Sequence, residues 1–526
     1  MRLLPFLLAV LLSVAGTMSK ANNIQIANSA LTGDAGTTIQ VQFDLSWENS
    51  WRLGSGRWDA AWVFVKYRTS LNGPWFHANL NNTGHVAAAG SQIDLGLLTP
   101  GTAYNASTNP VVGVFVYRNA AGTGNLSLPG TQLQWAFAAQ GLDISDIAQV
   151  QVFAIEMVYV PQGAFAAGSG GQELYAFTLT TINTATATTA PAGTGSLGGQ
   201  AGGFPTGQTA PASATWPNGF NAFYCMKYEV TQQGYVDFLN TLTYTQQVTR
   251  TASVPTSLAG TSALITGYAN TRRNGIRIQT PGVASTTPAV YACDLYGFGV
   301  YDGAVDGRDI ACNFLSWGDL TAYLYWSGLR PMTELEFEKA CRGTIAPVAN
   351  EYPWGTTGIA ASGAYPLDAA YTLDAAGATN EGIATNYSTT LGNAVYNFTL
   401  FGGAINGPLR VGIFAANGSN SGRVTAGASY YGIMELGGNL WERAVTIGNV
   451  EGRAFTGLHG NGALAADGNP DGAAWPAPTS AIGSGLRGGA WYDNAYLMQV
   501  SCRIFAANTN NDRFENYGGR GARLAP

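Results

Sequence analysis

Cysteine and histidine carry the most distinctive chemistry of the common side chains, and both are scarce in these 526 residues. Thiolate and imidazole groups are the usual protein ligands of zinc, iron and copper, and a Ser-His-Asp hydrolase needs a histidine as its base. The histidines lie far apart, none accompanies a Gly-x-Ser-x-Gly nucleophile elbow, and no two cysteines are spaced as Cys-x-x-Cys. We therefore expect neither a histidine-rich metal site nor a serine hydrolase. The residues concerned are Cys225, Cys293, Cys312, Cys341, Cys502, His77, His85 and His459.

The cysteine count also limits disulfide bonding. Five cysteines in so long a chain cannot form a disulfide scaffold, and an odd number leaves at least one thiol unpaired or buried as a small apolar side chain. One bond, such as Cys293 to Cys312, remains compatible with the sequence.

Charge is sparse throughout the chain. Charged residues make up 11% of the sequence, against about 25% in an average domain, while the 69 glycines exceed the usual share. The basic residues form no run or stripe, which argues against binding to nucleic acid or an anionic membrane surface. The length predicts two to four domains at about 150 residues each.

The N-terminus resembles a secretory signal. Residues 1–21 combine the positive Arg2, a short apolar run from Leu3 to Ala15, and small residues at Ser19 and Ala21 where a peptidase would cut. The apolar run is shorter than the ~20 residues that a membrane span needs. We expect a mature protein without a membrane span that is secreted, either extracellular or periplasmic.

Residues 22–155 have the pattern of an all-β domain, and a β-sandwich is the form that we predict. Gly, Asn and Pro clusters separate the strand-like runs. These runs are Ile39–Leu45, Ala61–Tyr67, Val111–Tyr117 and Gln132–Ala138.

Two features of this region bear on which side chains are buried and which are exposed. Lys66 and Arg68 alternate with apolar residues, which predicts one buried face and one solvated face for that strand. The region also holds six tryptophans, which are either core residues or, if exposed, a stacking surface for a carbohydrate or protein ligand. They are Trp47, Trp51, Trp58, Trp62, Trp75 and Trp135.

Beyond residue 155 the local signals predict a long insertion and three helices. Residues 166–220 are dominated by Gly, Thr, Ala, Ser and Pro, which is typical of a surface insertion or a linker. Cap residues and 3.6-residue periodicity mark the helices. They follow Thr231, run from Ser316 to Gly328, and lie between the Thr333–Glu336 capping box and Gly343.

Several ordered motifs in residues 156–526 resemble the formylglycine-generating-enzyme family, also called the sulfatase-modifying-factor domain. The resemblance implies an α+β, loop-rich fold related to C-type lectins, placed after the all-β domain. The matching motifs are 157–161 with Gly163 and Phe165, 228–231, 326–334 with 336–338, 352–355, 432–442, 487–491 and 518–523.

The resemblance implies an activity whose residues are missing here. Enzymes of the family oxidise a substrate cysteine to formylglycine with two cysteines that bind copper(I) after a Gly-Gly-Ser-Trp-like segment. The corresponding residues 492–500 contain no cysteine, and Cys502 follows alone. Copper is therefore not expected. Tyr492, Asp493, Tyr496 and Arg503 are the polar residues that the resemblance places near the family's cleft.

A calcium site is a second implied feature. The turn from Gly437 to Glu442 resembles a family loop in which backbone carbonyls and a glutamate bind the ion. By position the ligands are Gly437, Gly438, Leu440 and Glu442. The alternative is that the polar side chains of this turn satisfy only backbone groups.

Three functional hypotheses follow. The first is a secreted, non-oxidase member of the family that binds a carbohydrate or protein ligand, or builds structure, at the cell surface. The second is a divergent oxidoreductase or maturation enzyme of the same family. The third treats the tryptophan-rich N-terminal domain as a docking module.

Overall fold

The computed structural model describes residues 23–54, 56–186, 211, 213–266, 271–361, 372–385, 387–397, 405–416, 422–472 and 475–526. The predicted signal segment 1–21 lies outside these residues. So do residues 187–210 and 212 of the predicted insertion.

More of the described residues lie in strands than in helices, so the chain is a β-rich α+β protein. The strands are β1 Gln25–Thr32, β2 Ile39–Arg52, β3 Asp59–Arg68, β4 Phe76–His77, β5 Ser91–Leu97, β6 Val111–Arg118, β7 Gly122–Trp135, β8 Gln149–Val160, β9 Phe165–Ala167, β10 Thr180–Ile182, β11 Phe223–Met226, β12 Ile276–Thr280, β13 Val290–Cys293, β14 Arg330–Pro331, β15 Thr372–Asp374, β16 Gly382–Thr385, β17 Glu442–Val445, β18 Ser484–Arg487 and β19 Gly521–Leu524. The α-helices are α1 Gln232–Leu239, α2 Tyr244–Arg250, α3 Trp317–Trp326, α4 Glu334–Arg342 and α5 Val450–Arg453.

One large sheet joins the two predicted domains. Its strand order is β14-β19-β11-β8-β3-β6-β5, with β4 paired to β3. Strand β8 is antiparallel to β3 along one edge and to β11 along the other. The predicted boundary between residues 155 and 156 lies inside β8, so this strand hydrogen-bonds to elements on both sides of that boundary.

Strand β3 separates two apolar cores. Val63 and Val65 pack in a core shared with β2 and β7 of the three-stranded β1-β2-β7 sheet. Trp62 and Phe64, which point to the opposite face, belong to a core that includes α1 and α3. Alternation along the strand therefore divides the residues between two buried environments, because both faces of this sheet are covered.

The prediction of a solvated face on β3 is wrong. Lys66 is 1% exposed, and its Nζ donates hydrogen bonds to the carbonyl oxygens of Trp326, at 2.8 Å, and Gly462, at 2.6 Å. The long side chain reaches the C-terminal end of α3, where helix carbonyls lack intrahelical partners. Only Arg68, at the end of the strand, is partly accessible.

The tryptophans of the N-terminal region do not form an exposed surface. Three of them are buried and three are half-buried. Those that are buried are Trp47, Trp62 and Trp135, and those that are half-buried are Trp51, Trp58 and Trp75.

The three predicted helices are confirmed, with their caps. Thr231 caps α1 through the amide of Gly234, and Ser316 and Thr333 begin α3 and α4 with complete capping boxes. Gly343 ends α4 with a φ of 74°, a left-handed value that glycine adopts without strain. Helix α2, capped by Thr243, is additional to the prediction. The described residues include no helix that is both long and apolar enough to cross a membrane.

Candidate functional site

A network of buried ion pairs connects α4 to the end of β18. Glu334 and Glu338 lie one turn apart on α4, so their carboxylates share a face. Arg487 bridges them, at 3.1 Å to Glu334 and 2.9 Å to Glu338. Arg342 adds a second partner for Glu338 at 3.1 Å. Each of these side chains is at most 1% exposed, so the charges rely on one another rather than on water.

Arg503, one of the predicted cleft residues, belongs to this network. Its Nε and Nη2 donate to the two carboxylate oxygens of Glu334 at 2.7 and 2.9 Å. The guanidinium also lies 3.9 Å from the ring centre of Phe177. Burial raises the pKa of Glu334, but Arg503, Arg487 and the amide of Ile447 together outweigh burial and hold the pKa below its usual value. The structure therefore places Arg503 in a buried bidentate pair.

The other three predicted cleft residues follow the buried Trp491 on one loop. Asp493 Oδ2 accepts a hydrogen bond from the amide of Ala490 at 2.9 Å, and burial raises the pKa of Asp493 to about 7. Tyr492 packs edge-on against Trp491 with ring centres 4.7 Å apart. Tyr496 is 44% exposed. The structure thus keeps Tyr492, Asp493 and Tyr496 on one loop.

The thiols are all buried and free, so the disulfide left open between Cys293 and Cys312 is not formed. Burial raises the pKa of Cys502, although the charge of Arg487 opposes this, and raises that of Cys225 to about 12. Since the thiolate is the form that attacks and binds metal, neither environment activates a cysteine.

The predicted calcium turn lies against the C-terminal strand. Glu442 is buried, and its Oε1 accepts a hydrogen bond from Arg520, whereas its Oε2 has no hydrogen-bond partner. The guanidinium of Arg520 also donates to the carbonyl oxygens of Met434 and Glu435. The amide of Leu440 donates to Glu229 at 2.9 Å.

This arrangement bears on calcium in two ways. The unpaired oxygen of Glu442 and the backbone carbonyls of Gly437, Gly438 and Leu440 are hard oxygen ligands of the kind that calcium takes. The positive charge of Arg520 beside the same carboxylate opposes a second cation. Across the described ranges, no group of three or more His, Cys, Asp and Glu side chains is placed to hold a metal ion. The calcium set stays a prediction.

A cavity that the sequence did not indicate lies between the N-terminal strands and residues 422–434. Its volume is about 630 Å³, within the ~300–1,000 Å³ typical of small-molecule sites. We call it the junction cavity. Its lining includes Trp51, Arg57, Lys227, Arg423, Tyr430 and Tyr431.

Sequence reasoning missed most of this site because its residues are far apart in the chain. Arg57 and Tyr430 are 373 positions apart, yet Arg57 donates a hydrogen bond to the Tyr430 hydroxyl. In the sequence, Trp51 stands out only as one of six tryptophans of the N-terminal region. On the opposite wall of the junction cavity, the one local signal in the sequence is the adjacent pair Tyr430 and Tyr431, which lies just before a family motif.

Fold and site together define a class: a β-rich α+β chain whose second half is organised around buried arginine–carboxylate pairs and holds no activated thiol. Comparison with family models identifies the family within that class. The sulfatase-modifying factor enzyme 1-like domain matches residues 144–525, well over half of the chain. The chain therefore belongs to this family, and the resemblance inferred from its motifs is confirmed. The match begins before β8, so it includes the whole of that strand. A search of curated proteins found no match.

Proposed function

We propose that this chain is a secreted, non-oxidase member of the sulfatase-modifying-factor family that binds a ligand outside the cytoplasm. One observation carries the proposal. Residues 492–500, where the family's copper-binding pair is expected, hold no cysteine, and the nearby Cys502 is buried with a raised pKa. Two activated thiols are needed for that oxidation, and this region supplies none.

The junction cavity supports a binding role. It joins aromatic side chains to basic ones, a combination that suits a ligand with both a ring and polar groups. The proposal includes a β-sandwich for the N-terminal strands and a C-type-lectin-like fold for the remainder. It also includes export, which is supported by the N-terminal sequence pattern.

The direct experiment is a conversion assay. The purified full chain, loaded with copper(I), is incubated with a Cys-x-Pro-x-Arg peptide under air, and mass spectrometry measures aldehyde formation. A copper-dependent oxidase of the family is the positive control. We expect no aldehyde above the level of copper alone, and turnover of the peptide would overturn the non-oxidase function.

A second measurement tests export. The full-length gene is expressed in a host with a secretory pathway, and the N-terminus of the protein in the medium or periplasm is sequenced. We expect it to begin at Asn22. Retention of the chain in the cytoplasm with Met1 intact would contradict export.

A further inference from the structure

The charged side chains that line the junction cavity are all basic. Arg57, Lys227 and Arg423 line it, and no aspartate or glutamate does so among its described lining residues. Lys227 is already neutralised, since its Nζ lies 3.0 Å from Glu156 and 3.6 Å from Asp59. The two arginines therefore determine the charge that a ligand would meet.

Neither arginine has a carboxylate partner within the described part of the chain. Arg57 hydrogen-bonds to the Tyr430 hydroxyl, and Arg423 donates to the carbonyl oxygens of Pro353, at 2.9 Å, and Cys341, at 3.3 Å. The charge of Glu351 acts on Arg423, but that carboxylate is ion-paired with Arg342, so neither cavity arginine has a carboxylate of its own. A lining with such guanidinium groups attracts an anion.

Both charges lie near the same aromatic ring. The Arg57 guanidinium is 4.2 Å from the ring centre of Tyr430, and that of Arg423 is 5.4 Å from it. Burial lowers the pKa of Arg423, the carboxylate of Glu351 acts in the opposite direction, and the charge of Arg57 adds a smaller lowering effect. Two like charges held this close repel each other, so a bound anion would stabilise the arrangement.

Buried polar groups at the cavity lack partners. Tyr431 is 2% exposed, lines the cavity, and has a hydroxyl with no hydrogen-bond partner, and the Nε of Arg423 is likewise buried and unsatisfied. Leaving such a group unpaired costs about 1–3 kcal/mol. Both atoms are closed off from the cavity, so the two guanidinium charges are what a ligand meets there.

We propose that the junction cavity binds a small anionic ligand in which a carboxylate, sulfate or phosphate group is attached to a sugar-sized ring. The positive charge of Arg57 and Arg423 holds the anionic group. Trp51 and Tyr430 provide apolar surface for its ring. This inference rests on the proposed binding function and adds the chemical class of the ligand.

The test uses four probes that share one ring and differ at a single carbon: galactose, galacturonic acid, galactose 6-sulfate and galactose 6-phosphate. Calorimetric titration of the full chain measures their affinities at low and at high salt. We expect at least one charged probe to bind at one site, at least tenfold more tightly than galactose. Its affinity should fall as the salt concentration rises. Comparison among the three charged probes identifies the anionic group.

Two variants locate the site. Arg57→Ala should lower the affinity for the probe at least tenfold. The control Arg68→Ala removes an equal charge from a residue that lies over Trp75, outside the cavity, and should leave the affinity unchanged.

Three results would overturn the ligand class: binding of galactose as tight as that of the charged probes, binding of none of the four, or equal loss in Arg57→Ala and Arg68→Ala. Each of these leaves the non-oxidase function standing, because the peptide assay measures that function separately. Aldehyde formation in that assay would instead remove the proposed function itself.

Discussion

Arg503 provides the sharpest test of how the family's cleft region is used here. Position in the sequence suggested a cleft residue, whereas the structure shows a fully buried side chain with two hydrogen bonds to Glu334. We predict that Arg503→Met lowers the free energy of unfolding and leaves ligand binding unchanged. Methionine retains much of the apolar stem, so the change isolates the charged head group.

The size of the effect follows from what remains around Glu334. Removing one partner of a buried ion pair typically costs about 3–5 kcal/mol, because the other charge is left uncompensated. Glu334 would still pair with Arg487 at 3.1 Å and accept hydrogen bonds from Thr446 and Ile447 at 3.1 and 2.9 Å. We therefore expect the lower end of that range, about 3 kcal/mol.

Urea unfolding measures the difference in free energy of unfolding between the parent and Arg503→Met, and urea, being uncharged, does not screen the ion pairs. The matched control is Arg68→Met, which removes a half-buried arginine bonded to Gln149 and should cost less than about 1 kcal/mol. Arg503→Met combined with Glu334→Gln should cost less than the two single changes added together, since the residues share one interaction. An Arg503→Met protein as stable as the parent but impaired in binding would refute the structural role.

Four further outcomes are expected. Gly113→Ala would put its methyl carbon 2.5 Å from the ring of Trp62 and should cost about 1–3 kcal/mol in urea unfolding. Gly122→Ala, whose methyl carbon would be 3.6 Å from the nearest atom, should cost under about 0.5 kcal/mol. Equal losses of stability in the two variants would contradict the close packing of Gly113 against Trp62. A chromogenic thiol reagent should label the five buried cysteines only after unfolding, and fast labelling of the native chain would show an accessible thiol. If calcium is bound at residues 437–442, a chelator should lower the melting temperature, and an unchanged midpoint argues against the ion. The folded pKa of Glu334 lies below its unfolded value, so the stabilisation by this carboxylate is present above about pH 4.3 and is lost as the pH falls through the folded pKa. Glu334→Gln should therefore make the free energy of unfolding less sensitive to acid, and an unchanged acid profile would contradict this role of Glu334.

The parts of the fold that could be predicted are those with local causes. A cap side chain such as Ser316 or Thr333 bonds to an amide three residues on, so the signal and its structure lie within one turn. The positive φ of Gly343 at the end of α4 is equally local. Family membership was predictable for a related reason, because ordered short motifs are visible in the chain without any knowledge of contacts.

Burial of charge was not predictable in the same way. Lys66 alternates with apolar residues as a solvated residue would, yet the opposite side of its strand is covered by α3 and residues near Gly462. Burial holds the pKa of Lys66 well below its usual value. The periodicity of a strand shows that two faces differ, but it does not show what covers each face.

The sequence by itself determined the family, the positions of the three capped helices and the absence of cysteine from residues 492–500, since residue identity and short-range geometry settle these properties. Tertiary structure alone decided that Arg503 pairs with Glu334 169 positions away and that Arg57 meets Tyr430 across the junction cavity. The physical reason is that desolvation and ion pairing depend on neighbours in space. For Arg57, which lies just before β3, one such connection is β8, which joins β3 to β11 in one sheet.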